Sequence, residues 1–423
     1  YTGEDTLSLH DALPILAVAV CFGLGLACAL PAYAAWRGGA MSDANEAAIA
    51  ARLGNSFTPE DQAARADALL WDGAADMASR QLARLGPAER AVAVARLAML
   101  RGVDPTQPQP AAADGSQPPV VAPLSAEVQR DPGYVYTRAR FLLRQRLSQS
   151  VASYLASRPL LSRPPLDARK WVNLQLVAAR DAAPSTTVAI AEKIDDAFAP
   201  RTDIPRLIFP IRDDYTSLMW LGGTMALNGL GRGDQAAPLF WRYGAAARTP
   251  QTRSKGFYWA GRAMVRAGNI AEANRYFELA AAYPDQFYGM LALERLGRPL
   301  PPLDSSPTVV PTRSEREAFN ALPLTQAVRE VARESDWPTA VRFFREIADQ
   351  ASSEADHVMV TDLAKELGRR DLGVILGQAA HVDGHGIYRR TSFPLIPVPP
   401  GANWTMIHAI SRQESQFAMT AVS

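Results

Sequence analysis

The sequence predicts an all-α protein built from a solenoid of helix pairs, and three observations lead to that prediction. From residue 45 to about residue 298, alanine, leucine and arginine dominate, and apolar residues recur at three- and four-residue spacing. This is the period of an amphipathic helix, and no strand-like alternation persists. One stretch of the region repeats at an offset of 37 residues, and proline-rich segments separate the helical blocks.

The repeat relates residues 220–240 to residues 257–277. The residues that match are small or aromatic, and they pair Ala226 with Ala263, Gly231 with Gly268, Ala236 with Ala273, and Phe240 with Phe277. Small residues let two helices approach closely, glycine permits the turn, and the aromatic ring fills the gap to the next repeat. This pattern is typical of a solenoid resembling tetratricopeptide repeats.

Proline-rich segments place the predicted domain boundaries. Residues 104–123 form a loop within the helical array, residues 298–312 end it, and residues 393–402 lead into a terminal helix. We therefore expect an α-superhelical domain over 43–300, a small helical linker domain over 313–390 and a separate terminal domain that begins at 394.

The first 34 residues read as a secretory signal. Residues 15–30 form an apolar run that is short for a membrane span, and an A-x-A cleavage pattern follows at residues 32–34. A retained membrane anchor is the alternative. Residues 1–12 carry acids and no Lys or Arg, and residues 1–14 resemble translated adapter sequence, so those residues receive no functional weight.

Composition excludes several classes of function. The net charge is +1, which argues against a dedicated nucleic-acid binder. Both cysteines, Cys21 and Cys28, lie inside the predicted signal, so the mature chain has no disulfide framework and no thiolate metal site. His381 and His385 have metal-ligand spacing, but glycines surround them and no third ligand lies nearby. We expect no metal and no cofactor.

The terminal segment, residues 403–423, carries the most informative carboxylate. Asn403 can cap a helix that begins at Trp404. At about 100° per residue, the apolar residues Trp404, Ile407, Ile410 and Phe417 share one arc, and Glu414 lies inside it. A carboxyl group in an apolar cleft holds its proton and can donate it to a glycosidic oxygen. From pattern alone, a surface glutamate near a helix end is the simpler interpretation.

The stretch ISRQESQF followed by AVS resembles the opening motif of the soluble lytic transglycosylases. That motif has a Glu-Ser pair, an aromatic residue three after the glutamate and a serine nine after it, which here are Glu414, Ser415, Phe417 and Ser423. Upstream, residues 258–297 resemble the segment that ends the superhelical domain of this family. The resemblance spans roughly residues 45–423, and it implies that the terminal domain begins a lysozyme-like catalytic fold.

The resemblance also implies a reaction. Glu414 would be the single catalytic acid and base, cleaving the bond between N-acetylmuramic acid and N-acetylglucosamine of peptidoglycan with formation of a 1,6-anhydro product. Ser423 and Ser415 would be the substrate-binding residues: Ser423 would contact the muramoyl acetamido region, and Ser415 would support the turn beneath Glu414. The expected localisation is the periplasm. The expected partners are glycan strands and other cell-wall enzymes, and no nucleic acid is expected to bind. The protein would contact the membrane only through an uncleaved signal, and it is expected to be a monomer.

The sequence departs from the family pattern beyond Ser423. The family continues with a G-x-x-G-L-M-Q type segment and later an A-Y-N-x-G type helix, and neither is present, while Met419-Thr420 replaces the usual pair in that loop. Residues 394–423 are therefore expected to be an N-terminal fragment of a lysozyme-like domain, and this chain a C-terminally truncated, inactive piece. Two alternatives stay open: a non-catalytic solenoid that binds peptidoglycan or protein, and a lysozyme-type muramidase.

Overall fold

The predicted all-α class is confirmed over the part of the chain that the structure describes. A computed structural model describes residues 29–107, 125–301, 309–382, 390–419 and 421. Every regular element in these ranges is helical. Residues 1–28 of the predicted signal, with both cysteines, lie outside the described residues, as do His385 and Ser423. Within the described ranges, no helix has both the length and the apolar character needed to cross a membrane.

The chain divides into two compact units, one up to residue 246 and one from residue 247. The first unit holds twelve described α-helices: α1 Ala29–Arg37, α2 Asp43–Leu53, α3 Pro59–Asp72, α4 Ala75–Gln81, α5 Pro87–Leu100, α6 Ala126–Arg130, α7 Pro132–Arg144, α8 Ser148–Ser157, α9 Ala168–Arg180, α10 Pro184–Glu192, α11 Phe209–Thr224 and α12 Gly233–Ala246. A short π-helix, Met225–Gly229, continues α11.

The second unit holds the remaining described α-helices: α13 Pro250–Arg266, α14 Ile270–Ala281, α15 Phe287–Arg295, α16 Arg313–Ala321, α17 Pro323–Glu334, α18 Trp337–Gln350, α19 Glu354–Glu366, α20 Arg370–Val382 and α21 Trp404–Ser415. Helices α16–α20 share one hydrophobic cluster, in which Phe344 and Leu372 are fully buried. The predicted domain bounds 43–300, 313–390 and 394–423 stay predictions, because the division at residue 246 follows compactness and not these breaks.

The two copies of the sequence repeat fold as helix pairs with a glycine pressed against a phenylalanine ring. In the first unit, a Cβ placed on Gly223 of α11 would lie 2.8 Å from the Phe240 ring of α12. In the second unit, a Cβ on Gly261 of α13 would lie 2.5 Å from the Phe277 ring of α14. Both rings are buried, so the absence of a side chain sets how closely each pair packs.

The two copies of the repeat differ by one residue in the distance between the packed glycine and the phenylalanine, and a π-helix accounts for the difference. The segment from Gly223 to Phe240 is one residue longer than the segment from Gly261 to Phe277. A π-helix accommodates one extra residue in an otherwise α-helical turn, and Met225–Gly229 forms one in the longer copy. The turn glycines that follow, Gly231 and Gly268, both adopt positive φ, at 68° and 78°.

The predicted cleavage pattern lies in α1, which packs within the first unit. Trp36 is buried and stacks on Phe57 with ring centroids 4.5 Å apart. The guanidinium of Arg65, on α3, lies 4.1 Å from the Trp36 ring and donates to the Gly39 carbonyl at 2.8 Å. These contacts fix the chain from Trp36 onward, and cleavage after Ala34 remains a prediction.

Gly261→Ala should lower the free energy of unfolding by about 1–3 kcal/mol, because the new methyl group must displace the buried Phe277 ring. Urea denaturation followed by circular dichroism measures the change. The matched control is Gly54→Ala, since Gly54 has helical φ and nothing lies within 4 Å of an added Cβ. It should be neutral or slightly stabilising. Equal stability of the two variants would contradict the packing described for α13 and α14.

The start of α3 should lose stability in acid. Burial alone would raise the pKa of Asp61, but hydrogen bonds from Thr58 and from Arg37 outweigh it and hold that pKa below its usual value. A carboxyl group with a lowered folded-state pKa contributes fully above its unfolded pKa of about 3.9, and the contribution is lost as pH falls through the folded value.

Asp61→Asn should therefore reduce the free energy of unfolding by about 0.5–2 kcal/mol at neutral pH, through loss of the cap and the ion pair. The difference from the unsubstituted protein should shrink at about pH 3. Parallel urea titrations at the two pH values measure it, and a difference that does not change with pH would count against this assignment.

Candidate active site

The helix that carries Glu414 begins where the sequence predicts. Asn403 is its N-cap, and the Asn403 Oδ1 accepts a hydrogen bond from the Met406 backbone N–H at 3.0 Å. The helix ends after Ser415, where Gln416 and Phe417 adopt left-handed φ values of 52° and 66°. The Phe417 N–H then donates to the Ser411 carbonyl at 3.0 Å, which closes the last turn.

Arg412 holds one face of α21 against the segment that precedes it. Its Nε donates to the Ser392 carbonyl at 3.0 Å, and its guanidinium lies 4.2 Å from the centroid of the Phe393 ring. Burial lowers the pKa of Arg412, and the nearby Asp285 carboxylate opposes that shift. The cation is thus held by a carbonyl and an aromatic face, while its Nη2 is buried with no hydrogen-bond partner in the described part of the chain.

His408 makes a second connection on the same face. Its Nε2 accepts from the Ile396 N–H at 3.1 Å, and its Nδ1 lies 2.9 Å from the Trp404 carbonyl oxygen. These partners require the neutral ring with the proton on Nδ1, because Nε2 faces a donor and Nδ1 faces an acceptor. The histidine therefore ties the extended segment after Phe393 to the first turn of α21.

Ser392 is held against α20 because the backbone of residues 391–392 approaches that helix closely. Gly373 and Gly377 lie four residues apart on α20, and an added Cβ would meet Thr391 at the first and Ser392 at the second. Ser392 is buried. The glycines thus let the short turn Arg390–Ser392 lie against the helix, and Arg412 extends this contact to α21.

Glu414 lies on the opposite side of α21, about 200° from Arg412. It is exposed, and so are Trp404 at 51% and Ile410 at 53%. The stripe predicted to face a cleft is therefore present on the helix, but its central residues face solvent in this chain. Phe417 departs from the predicted arc because the helix ends two residues before it; its ring is buried and lies 6.1 Å from His408.

Of the two serines in the predicted site, the structure describes only Ser415. The Ser415 Oγ donates to the Ser411 carbonyl at 2.9 Å, so its hydroxyl supports the last turn next to Glu414. Ser423 lies outside the described residues, as do Thr420 and Val422. The structure thus places Glu414 and Ser415 side by side on one turn, and the predicted roles of Glu414, Ser415 and Ser423 stay predictions.

The sequence contains a further fact about this segment. From residue 390 to residue 423, Glu414 is the sole Asp or Glu. Among the described residues, no group of His, Cys, Asp or Glu is placed to hold a metal ion, and His385 of the predicted pair lies outside them. The exposed face of α21 therefore offers one carboxyl group, that of Glu414, and the apolar side chains of Trp404 and Ile410.

Sequence reasoning missed the two residues that orient this carboxylate. Helix geometry alone places Arg412 on the side away from Glu414 and gives it no partner, and the apolar pattern gives no role to His408. A signal for them exists: His408, Ser411, Arg412 and Ser415 have the three- and four-residue spacing of one helix face. That face is polar, so a search for apolar periodicity passes over it.

This chain matches no family model and no curated protein. Among solved structures, an inactive mutant of the lytic transglycosylase Slt from Pseudomonas aeruginosa aligns with 97% of this chain at 20% identity and a TM-score of 0.47. The 70-kDa soluble lytic transglycosylase in complex with bulgecin A aligns with 91% at 18% identity and a TM-score of 0.41. This chain spans 63% and 58% of the lengths of those chains.

Arg412→Gln should loosen α21 without unfolding the rest of its unit. Loss of the charged hydrogen bond to Ser392 and of the contact with Phe393 should reduce the local stability of residues 404–418 by about 1–3 kcal/mol. Hydrogen exchange read by mass spectrometry gives the protection of those amides directly. Gln413→Ala is the control, since Gln413 is the exposed neighbour on α21. Protection that survives Arg412→Gln would show that other contacts hold the helix.

Proposed function

We propose that the protein is a periplasmic peptidoglycan lytic transglycosylase in which Glu414 is the catalytic acid and base. The observation that carries the proposal is the geometry of α21. One face is locked by Arg412 and His408, and the other presents a lone carboxylate among exposed apolar side chains. Such a surface is suited to be the floor of a cleft, in which apolar enclosure favours a protonated carboxyl group.

The proposed reaction needs one carboxyl group. Glu414 donates its proton to the oxygen that links N-acetylmuramic acid to N-acetylglucosamine, and the bond from C1 of the muramoyl residue to that oxygen breaks. The resulting carboxylate then accepts the proton of the muramoyl 6-hydroxyl as that oxygen bonds to C1. The product is the 1,6-anhydro sugar, and the carboxyl group ends protonated, as it began.

The proposed route differs from hydrolysis in the number of acids that it needs. Most glycoside hydrolases place two carboxyl groups on either side of the scissile bond. The substrate supplies the nucleophile in the intramolecular reaction, so a second acid is not needed. In this proposal Ser415 supports the last turn of α21 beside Glu414, and Ser423 contacts the acetamido group.

Exposure of Glu414 sets the expected activity of this chain. Nothing in the described residues encloses that side chain, and Trp404, Met406 and Ile410 are each about half exposed around the same helix. Without enclosure the carboxyl group is solvated like any surface glutamate and loses its advantage as a proton donor. We propose that these 423 residues alone have little or no lytic activity, and that activity requires additional residues that cover this face.

Digestion of purified sacculi, with mass spectrometry of the soluble products, tests the proposal. The 423-residue chain should release essentially no anhydromuropeptides, while a longer form that covers α21 should release them. Glu414→Gln in that longer form should lower the rate by at least about 10²-fold, the scale of general acid catalysis. Gln413→Ala should leave the rate unchanged.

Two outcomes would overturn parts of the proposal. Products heavier than the anhydro form by one water would indicate a lysozyme-type muramidase. Undiminished lysis by Glu414→Gln would remove Glu414 from the reaction and favour the solenoid as a binding protein, for which binding of the chain to sacculi is the relevant measurement.

A further inference from the structure

A second candidate site lies entirely within the first unit. A cavity of 660 Å³ opens between α12 and the loop from Phe198 to Pro205, with Tyr215 of α11 also in its lining. Its volume is in the range that binds small organic ligands. All of its lining residues precede residue 247, so the cavity shares no residue with the site around Glu414.

A fixed carboxylate lies at one side of this cavity. The Tyr215 hydroxyl donates to Asp195 Oδ1 at 2.8 Å, and Arg242 Nε lies 3.4 Å from Asp195 Oδ2. Tyr215 is buried, and burial together with the Asp195 carboxylate raises the pKa of its phenol, so it remains a donor. The Asp195 side chain is still 53% exposed, which leaves acceptor capacity for a ligand.

An aromatic surface lines the same cavity. Trp241 on α12 is 42% exposed, and its ring stacks on no other ring in the described part of the chain. Phe198, by contrast, is engaged edge-to-face with Tyr215, with centroids 6.0 Å apart. An exposed indole in a concave polar setting offers an apolar, electron-rich face that attracts weakly positive C–H groups.

The loop places a cation at the rim with a strained backbone. Thr202 closes a turn by donating from its N–H and its Oγ to the Ala199 carbonyl, at 3.1 and 2.7 Å. Pro200 takes the second position of the turn, and Arg201 takes the third with φ of 67°. That third position favours glycine. Arg201 is exposed, and it forms no ion pair with any residue that the structure describes.

We propose that this cavity binds an oligosaccharide of N-acetylated sugars. A sugar ring presents an apolar C–H face that can stack on Trp241, and its hydroxyl and acetamido groups can bond to Asp195 and Arg201. A phosphorylated ligand fits less well, because Arg242 is already paired and the carboxylates of Asp195 and Asp203 line the cavity. The inference adds a glycan-binding surface to the proposed function and stands even if Glu414 has no catalytic role.

Isothermal titration calorimetry of the 423-residue protein with chitotetraose tests this inference. The unsubstituted protein should bind, and Trp241→Ala should weaken binding by about tenfold through loss of the stacked ring. Trp241→Phe should recover part of the affinity, because it keeps a flat aromatic face. Phe287→Ala, a substitution of another exposed aromatic residue, should bind like the unsubstituted protein.

Arg201→Gly separates a ligand contact from a structural role. Glycine relieves the positive φ, so the variant should melt at a higher temperature and yet bind chitotetraose more weakly. Absence of binding by the unsubstituted protein would overturn the inference. So would unchanged affinity in both Trp241→Ala and Arg201→Gly, and so would affinity lost in Trp404→Ala but kept in Trp241→Ala, which would place the sugar on α21.

Discussion

The burial of the Arg412 guanidinium decides which way the last helix faces, and the candidate site depends on that orientation. A buried guanidinium needs partners, and here the Ser392 carbonyl and the Phe393 ring provide them, while the charge of Asp285 acts on the cation without a direct contact. Any rotation of α21 that turned Glu414 inward would remove the cation from these partners, at a cost of about 1–3 kcal/mol. The glutamate is therefore directed outward by an interaction on the opposite face.

This dependence continues into the preceding module. Ser392 can accept from Arg412 only because Gly373 and Gly377 let the turn Arg390–Ser392 lie against α20. The same device, a missing side chain that sets a close approach, positions the helix pairs that contain Gly223 and Gly261. In each case the absence of a side chain on a glycine lets a neighbouring segment pack closely, and this packing positions Ser392, Phe240 or Phe277.

The sequence predicts some of these features for clear physical reasons. Helix pairing is predictable because close packing needs small residues at Ala226 and Ala263 and large ones at Phe240 and Phe277. All four of these residues are buried. The start of α21 is predictable because Asn403 can satisfy a backbone N–H by itself. These are local or periodic requirements, which a linear pattern can express.

Other features depend on contacts distant in the sequence. The end of α21 is hard to predict because Gln416 and Phe417 adopt positive φ, where glycine would be expected. The one-residue insertion before Gly231 is visible only once the π-helix shows where the extra residue lies. The orientation of Glu414 follows from Arg412 and His408, whose partners lie between residues 285 and 404 and carry no periodic signal.

Apolar periodicity on α21 consequently has a narrower meaning than it does for the buried helices. On α13 and α14 one set of periodic apolar residues, which includes Ala263, Ala273 and Phe277, is buried, while Val265, Ile270 and Leu279 are exposed. On α21 the buried contacts are polar, while Trp404 and Ile410 are half exposed. Periodicity shows which residues share a face of a helix, but it does not show which face packs against the rest of the protein. On α21 the face that packs is the one that carries Arg412. The apolar face, with its single carboxylate, is therefore exposed to solvent.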